Sequence, residues 1–170
     1  MRRTAQNAFT LIELLVVLAI MAIAGVSAIA NYANFGEDQK LKSAVLDIQN
    51  QLRTAQTNAT TNVKCDTDYY ATWQVEVTNS TTLNLKCFIS PNPPNNQKTL
   101  QLTANIQLKA TESESCSPPN LPYSISFTPI SGKMDLGDNN CTDLRFVLQN
   151  TKTGALKYLI IDKGGRIYAQ

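Results

Sequence analysis

The chain has 170 residues, with 15 Lys and Arg against 13 Asp and Glu, no histidine and four cysteines. That length accommodates one ordinary domain plus an appendage. Both surplus positive charges are Arg2 and Arg3, so the remainder is neutral, which argues against broad nucleic-acid binding. The lack of histidine removes the usual ligand of zinc and haem sites and the usual member of acid–base and triad chemistry.

Residues 1–8 form a short, polar, doubly basic leader. Beyond Glu13, the 17 positions from Leu14 to Ala30 carry no charge and nothing more polar than Ser27 and Gly25. Seventeen residues is just long enough to span a bilayer, which needs roughly 17 to 25. Positive charge ahead of the run orients it with Arg2 and Arg3 cytoplasmic and the C-terminal bulk exported. Glu13 stands at the mouth of this run. A carboxylate costs about 2.5 to 3.5 kcal/mol at the centre of a membrane helix and less near the interface, so Glu13 calls for a partner or a local role. The local role on offer is a capping box, Thr10-x-x-Glu13.

After a polar break at residues 31–38, Leu41, Val45, Ile48, Leu52, Ala55 and Ala59 recur at helical spacing and form one apolar stripe. No Pro or obvious stop separates the two stretches. The spacing therefore predicts one helix from Phe9 to about Thr60, roughly 75 to 80 Å long at ~1.5 Å per residue. Residues 9–30 are its membrane half and residues 31–60 its amphipathic half. Burying the stripe's four large residues would contribute about 6 to 12 kcal/mol before entropy is subtracted.

From residue 61 to 170 the period changes to alternation. Candidate strands are Tyr69 to Val77, Thr82 to Ile89, Thr99 to Lys109, Tyr123 to Thr128, Leu144 to Gln149, Leu156 to Asp162 and Arg166 to Ala169. Leu100, Leu102, Ala104, Ile106 and Leu108 alternate most regularly. Turn sequences divide the strands: SPNPPNN, SPPNLP, TPISG, NTKTG and KGG, the last two as hairpin connections. The expected class is α+β, a long N-terminal helix packed on an antiparallel β-sheet.

Cys65, Cys87, Cys116 and Cys141 all follow the apolar run and include no CxxC, so two disulfides in an oxidising compartment are expected. Cys65 with Cys87 and Cys116 with Cys141 is one of three possible pairings. A hairpin turning at Asn79 and Ser80 would not set Cys65 opposite Cys87, so that bridge would tie the helix-to-sheet loop to a strand. Asp135, Asp138, Asn140 and Asp143 gather oxygen ligands of the type calcium accepts, in a Gly-containing loop. The loop lacks EF-hand spacing and a bidentate Glu, so a solvated turn is the expectation, with no metal or cofactor. Trp73, beside Tyr69 and Tyr70, is expected in the core, as strand aromatics usually are. There is no phosphate-binding loop, nucleophile elbow or convincing carboxylate pair, so a structural part is expected and not an enzyme.

The leader ending in small Ala8, followed by Phe9-Thr10-Leu11-Ile12-Glu13-Leu14-Leu15-Val16-Val17, resembles the processing signature of type IV pilins and type II secretion pseudopilins. The resemblance implies cleavage between Ala8 and Phe9 by a prepilin peptidase, methylation of the new Phe9 amine, and assembly of the helices into a filament core. Partners would be other pilin or pseudopilin subunits, an inner-membrane assembly platform and, before assembly, lipid. Glu13 would pair with the Phe9 amine of a neighbouring subunit. Most members have Gly where Ala8 stands, and many have Pro where Ala30 stands. The stretches LRTAQTNATTNVKC, ISFTPISGKMDLG and LIIDKGGRIYAQ are similar to the H-type minor pseudopilins and their pilus relatives. Some of those relatives bind DNA through Gly-Arg-x-Arg; Gly165-Arg166-Ile167-Tyr168 lacks the second Arg. Two other readings stay open: a DNA-binding minor pilin, and a secreted domain whose signal is cut after Ala30 at Ala28-Ile29-Ala30.

Overall fold

Helix α1 runs from Leu11 to Thr60, and nine strands follow it, in a computed structural model that describes residues 10–65, 71–88, 93–113, 120–136 and 141–170. Two compact units divide at Gly36, the first Met1–Gly36 and the second Glu37–Gln170.

In the first unit, the described side chains from Leu11 to Gly25 are all exposed. Among the described residues no helix is long and apolar enough to cross a membrane.

In the second unit the stripe is buried as its spacing requires: Leu41, Val45, Ile48, Leu52, Ala55 and Ala59 are all in the core. Asn62 ends the helix. Its left-handed φ of 56° lets the Val63 N–H reach back to the Asn58 carbonyl at 2.9 Å, the Schellman arrangement for which Asn is suited.

Two antiparallel sheets receive the helix, where the sequence suggested one. The first has the order β3-β2-β1-β5-β6, with β1 Thr72–Asn79, β2 Thr82–Phe88, β3 Asn95–Gln101, β5 Tyr123–Phe127 and β6 Met134–Asp135. The second has the order β4-β7-β8-β9, with β4 Ile106–Glu112, β7 Asp143–Asn150, β8 Leu156–Asp162 and β9 Ile167–Ala169. Val75, Val77, Leu83, Ile125 and Phe127 from the first sheet join Leu144, Phe146, Leu148, Leu159 and Ile161 from the second in one core with the helix stripe.

The expected strand Thr99 to Lys109 is a correction. It is two strands, β3 and β4, that belong to different sheets. Asn105, at φ 70°, turns the chain, a conformation Asn tolerates. The Leu102 N–H bonds Thr81 O at 2.8 Å and the Leu108 N–H bonds Ser80 O at 2.7 Å, so the crossing chain is fastened to the β1–β2 turn. Leu102, Ile106 and Leu108 are buried, but Ala104, which a continuous alternation would bury, is exposed. The apparent period of two came from residues that reach the core on either side of a turn.

Cys65 is bonded to Cys87, with a Cα–Cα distance of 5.8 Å. Since Cys87 lies on β2, the bridge ties the helix-to-sheet loop to a strand. Cys141 is also disulfide-bonded, and Cys116 lies outside the described residues. Trp73 is buried, and its indole N–H donates to Val63 O at 2.9 Å, which fastens the same loop to β1. Tyr69 and Tyr70 lie outside the described residues.

Candidate assembly site

The first turn of α1 contains the one acidic residue of the apolar run. Thr10 accepts the Glu13 N–H on its hydroxyl at 3.3 Å and the Leu14 N–H on its carbonyl at 3.2 Å. Thr10 therefore acts as the N-cap, giving one half of the expected capping box. The Glu13 carboxylate is exposed and has no hydrogen-bond or ion-pair partner among the described residues. Its negative charge suits the positive end of the helix and remains available to a cation from outside. Around it Leu11, Ile12, Leu14, Leu15 and Val16 are exposed, continuing to Ile23. A contiguous apolar surface of that kind marks a membrane or protein contact. Ala8 and Phe9 lie outside the described residues.

Two further anchors escaped the sequence reading. Glu37, the first residue of the second unit, is buried, with its carboxylate 2.8 Å from Lys40 Nζ and 3.7 Å from Lys152 Nζ. Asn150 Nδ2 donates to Glu37 Oε2 at 2.9 Å, while Asn150 Oδ1 accepts the backbone N–H of Lys152 and Thr153 in the β7–β8 turn. The hydrogen bonds from Lys40 and Asn150 hold the Glu37 carboxyl down at about 2. Glu37 and Lys40 at i, i+3 were a readable pair; Asn150, 113 residues away, was not.

The second anchor is Gln56. Its side-chain amide donates to Gly132 O at 2.9 Å and to Gly165 O at 2.7 Å. Gly132 and Gly165 have φ of 63° and 86°, and a Cβ on Gly165 would run into the Gln56 amide and the Gly132 carbonyl. Here only glycine meets both the conformation and the close approach. One side chain therefore pins the TPISG turn of the first sheet and the KGG turn of the second to α1.

Arg166 is exposed but engaged: its Nε lies 2.5 Å from Asp162 Oδ2, and its backbone N–H donates to Asp162 Oδ1 at 2.9 Å. Burial pushes the Asp162 carboxyl up, but these Arg166 contacts outweigh it and hold it below the usual range. The cation needed for a DNA contact is thus already paired. Of the calcium candidates, Asp138 and Asn140 lie outside the described residues; Asp135 is on β6, and Asp143, at the start of β7, accepts the Ser113 hydroxyl at 3.2 Å. Among the described residues, no three His, Cys, Asp or Glu are grouped to hold a metal.

Residues 3–29 match the family model described as "Prokaryotic N-terminal methylation motif". No curated protein and no solved structure matches the chain. The matched stretch contains Phe9, Thr10, Glu13 and the apolar run to Ile29, so the chain carries a prepilin-type methylation motif that runs into α1, the helix packed on antiparallel sheets, which supports a type IV pilin-like structural subunit.

Proposed function

We propose that this chain is a filament subunit of a type IV pilus or type II secretion pseudopilus, cut between Ala8 and Phe9, methylated at the Phe9 amine and assembled through α1. The observation that carries the proposal is the methylation-motif match over residues 3–29, with Glu13 unpartnered among the described residues on an exposed apolar helix. Before assembly the helix lies in the inner or cytoplasmic membrane with the sheet domain exported; afterwards the subunit belongs to a surface or periplasmic filament. The working partners are a prepilin peptidase and methyltransferase, an inner-membrane platform and other subunits. The likeness of residues 52–65, 125–137 and 159–170 to H-type chains favours a minor subunit over a major one.

In the filament core the cationic Phe9 amine of one subunit meets Glu13 of another. A slipped subunit leaves both charges unpaired in an apolar surround, so the pair sets axial register as well as attraction. The mature chain is expected to lack residues 1–8 and to carry one added methyl group, measured by intact mass. Glu13→Ala should still insert and be cleaved but assemble or methylate poorly. Incorporation at the wild-type level would count against the charge pair, and an N-terminus at Asn31 would replace the whole reading with a secreted domain.

A further inference from the structure

Among the described residues, three non-glycine residues have left-handed backbones: Asn62, Asn105 and Ile130. The two asparagines sit where their residue type tolerates it. Ile130 does not: it is β-branched, at φ 67°, and the Ser131 N–H donates to Pro129 O at 2.7 Å to close a three-residue turn around it. A positive φ at the centre of such a turn is the rare, strained form.

Neighbouring contacts force the conformation. The Gly132 N–H bonds Thr128 O at 2.9 Å, the Thr128 N–H bonds Lys133 O at 3.0 Å, and the Ile130 N–H bonds Ala59 O at 3.3 Å, while Gln56 holds the Gly132 carbonyl. The result is that Ile130 is 84% exposed, the most exposed large apolar side chain among the described residues. Glycine would fill the turn without strain, and a side chain this exposed adds little to the core that would call for isoleucine.

The same unit offers a matching recess. A groove of about 310 Å³ lies between α1 and the β8–β9 pair, lined by Lys42, Val45, Leu46, Lys157, Ala169 and Gln170. An apolar cavity of about 150 Å³ already holds a benzene ring, so one aliphatic side chain fits. Leu46 stands 54% exposed at its wall.

Charge complements shape. Ile130 rests on the Ala59 carbonyl at the negative end of α1, whose last turn has no basic residue. Cations are favoured there. The groove supplies two: Lys157, with no ion pair among the described residues, and Lys42, paired with half-buried Asp38 at 2.7 Å.

We propose that Ile130 is the knob of a contact between copies of this chain, seating in the Val45–Leu46–Ala169 groove of the next copy. Ala59 and Val45 are 14 residues apart on α1, roughly 20 Å along its axis at ~1.5 Å per residue. Knob and groove are different surfaces, so the contact is heterologous and can repeat from copy to copy without closing on a dimer. This rests on the filament-subunit reading and adds which sheet-domain surfaces meet, with at least two copies side by side.

The test uses the full chain in membranes, carrying a benzophenone side chain at position 130 or, in a second variant, at position 46. Irradiation at 130 should give a homodimer whose crosslinked peptide falls within residues 42–46 or 157–170, and irradiation at 46 should map to residues 128–133. Ile130→Gly should abolish the crosslink from position 46 while leaving the thermal midpoint unchanged or higher, an outcome that a purely structural role does not allow. Crosslinks mapping elsewhere, crosslinks only to a different protein, or none in a chain that is trimmed and methylated overturn the contact. The reciprocal crosslinks in a chain not cut after Ala8 would sustain the contact and remove the pilin-like reading instead.

Discussion

The two halves of α1 belong to one unbroken helix, yet a leucine of the second half's apolar stripe and a leucine of the first half meet opposite fates. Leu52 is 0% exposed and Leu18 is 58% exposed. Apolar content cannot account for this, because the bare half is the richer in apolar residues. What separates them is angular distribution. Residues 41–59 concentrate apolar side chains on one stripe, with Lys42, Asp47 and Arg53 elsewhere, and two sheets can cover one stripe. Residues 14–25 are apolar all round. A helix of that kind needs an apolar surround on every side, which lipid or a bundle of like helices supplies and one sheet domain cannot.

The sharpest way to break this contrast is a matched pair of truncations. Leu52→Ala should cost about 2 to 5 kcal/mol, the range for a buried leucine whose site cannot collapse. Leu18→Ala should stay within about 0.5 kcal/mol in detergent, as exposed substitutions do. Urea unfolding of the full chain measures both, and equal losses would remove the distinction.

A smaller effect is expected at Gln56, where the covered half is fastened. Gln56→Ala leaves the Gly132 and Gly165 carbonyls without their shared donor and should lower stability by about 1 to 3 kcal/mol. Preserved stability would mean that packing alone holds the two turns.

Glu37, the first residue of the second unit, should contribute most at neutral pH and least in acid. Its carboxyl titrates at about 2 in the fold against an ordinary value of 4.5, so its contribution is complete above 4.5 and fades as pH falls from there towards 2. Glu37→Gln should flatten that part of the stability–pH curve. Curves of identical shape for variant and wild type would show that the Lys40 and Asn150 contacts do not govern the acid limb.

Local patterns made much of this fold readable. The stripe from Leu41 to Ala59, the hairpin strands on either side of Ser80 and Thr81, and the placing of Cys87 across from the helix-to-sheet loop all depend on spacing within a few dozen residues. The second sheet was not readable. Whether β3 and β4 continue or part depends on Asn105 and on hydrogen bonds to Ser80 and Thr81, more than 20 residues back. At the candidate assembly site, Thr10 and Glu13 were legible because a cap acts within one turn. Glu37–Asn150 and the Gln56 clamp were not, since an amide reaching two distant carbonyls leaves no periodic trace. Ile130 gave no signal either: isoleucine in a turn sequence looks ordinary until its φ is known.

The Gln56 clamp has a mechanical meaning. In the proposed filament, a pull along the fibre would enter each subunit through its helix. Gln56 grips one turn from each sheet near the end of α1, while Glu37 grips the β7–β8 turn near residue 37. A pull on the helix would therefore be shared between turns of both sheets, through grips at two places along α1.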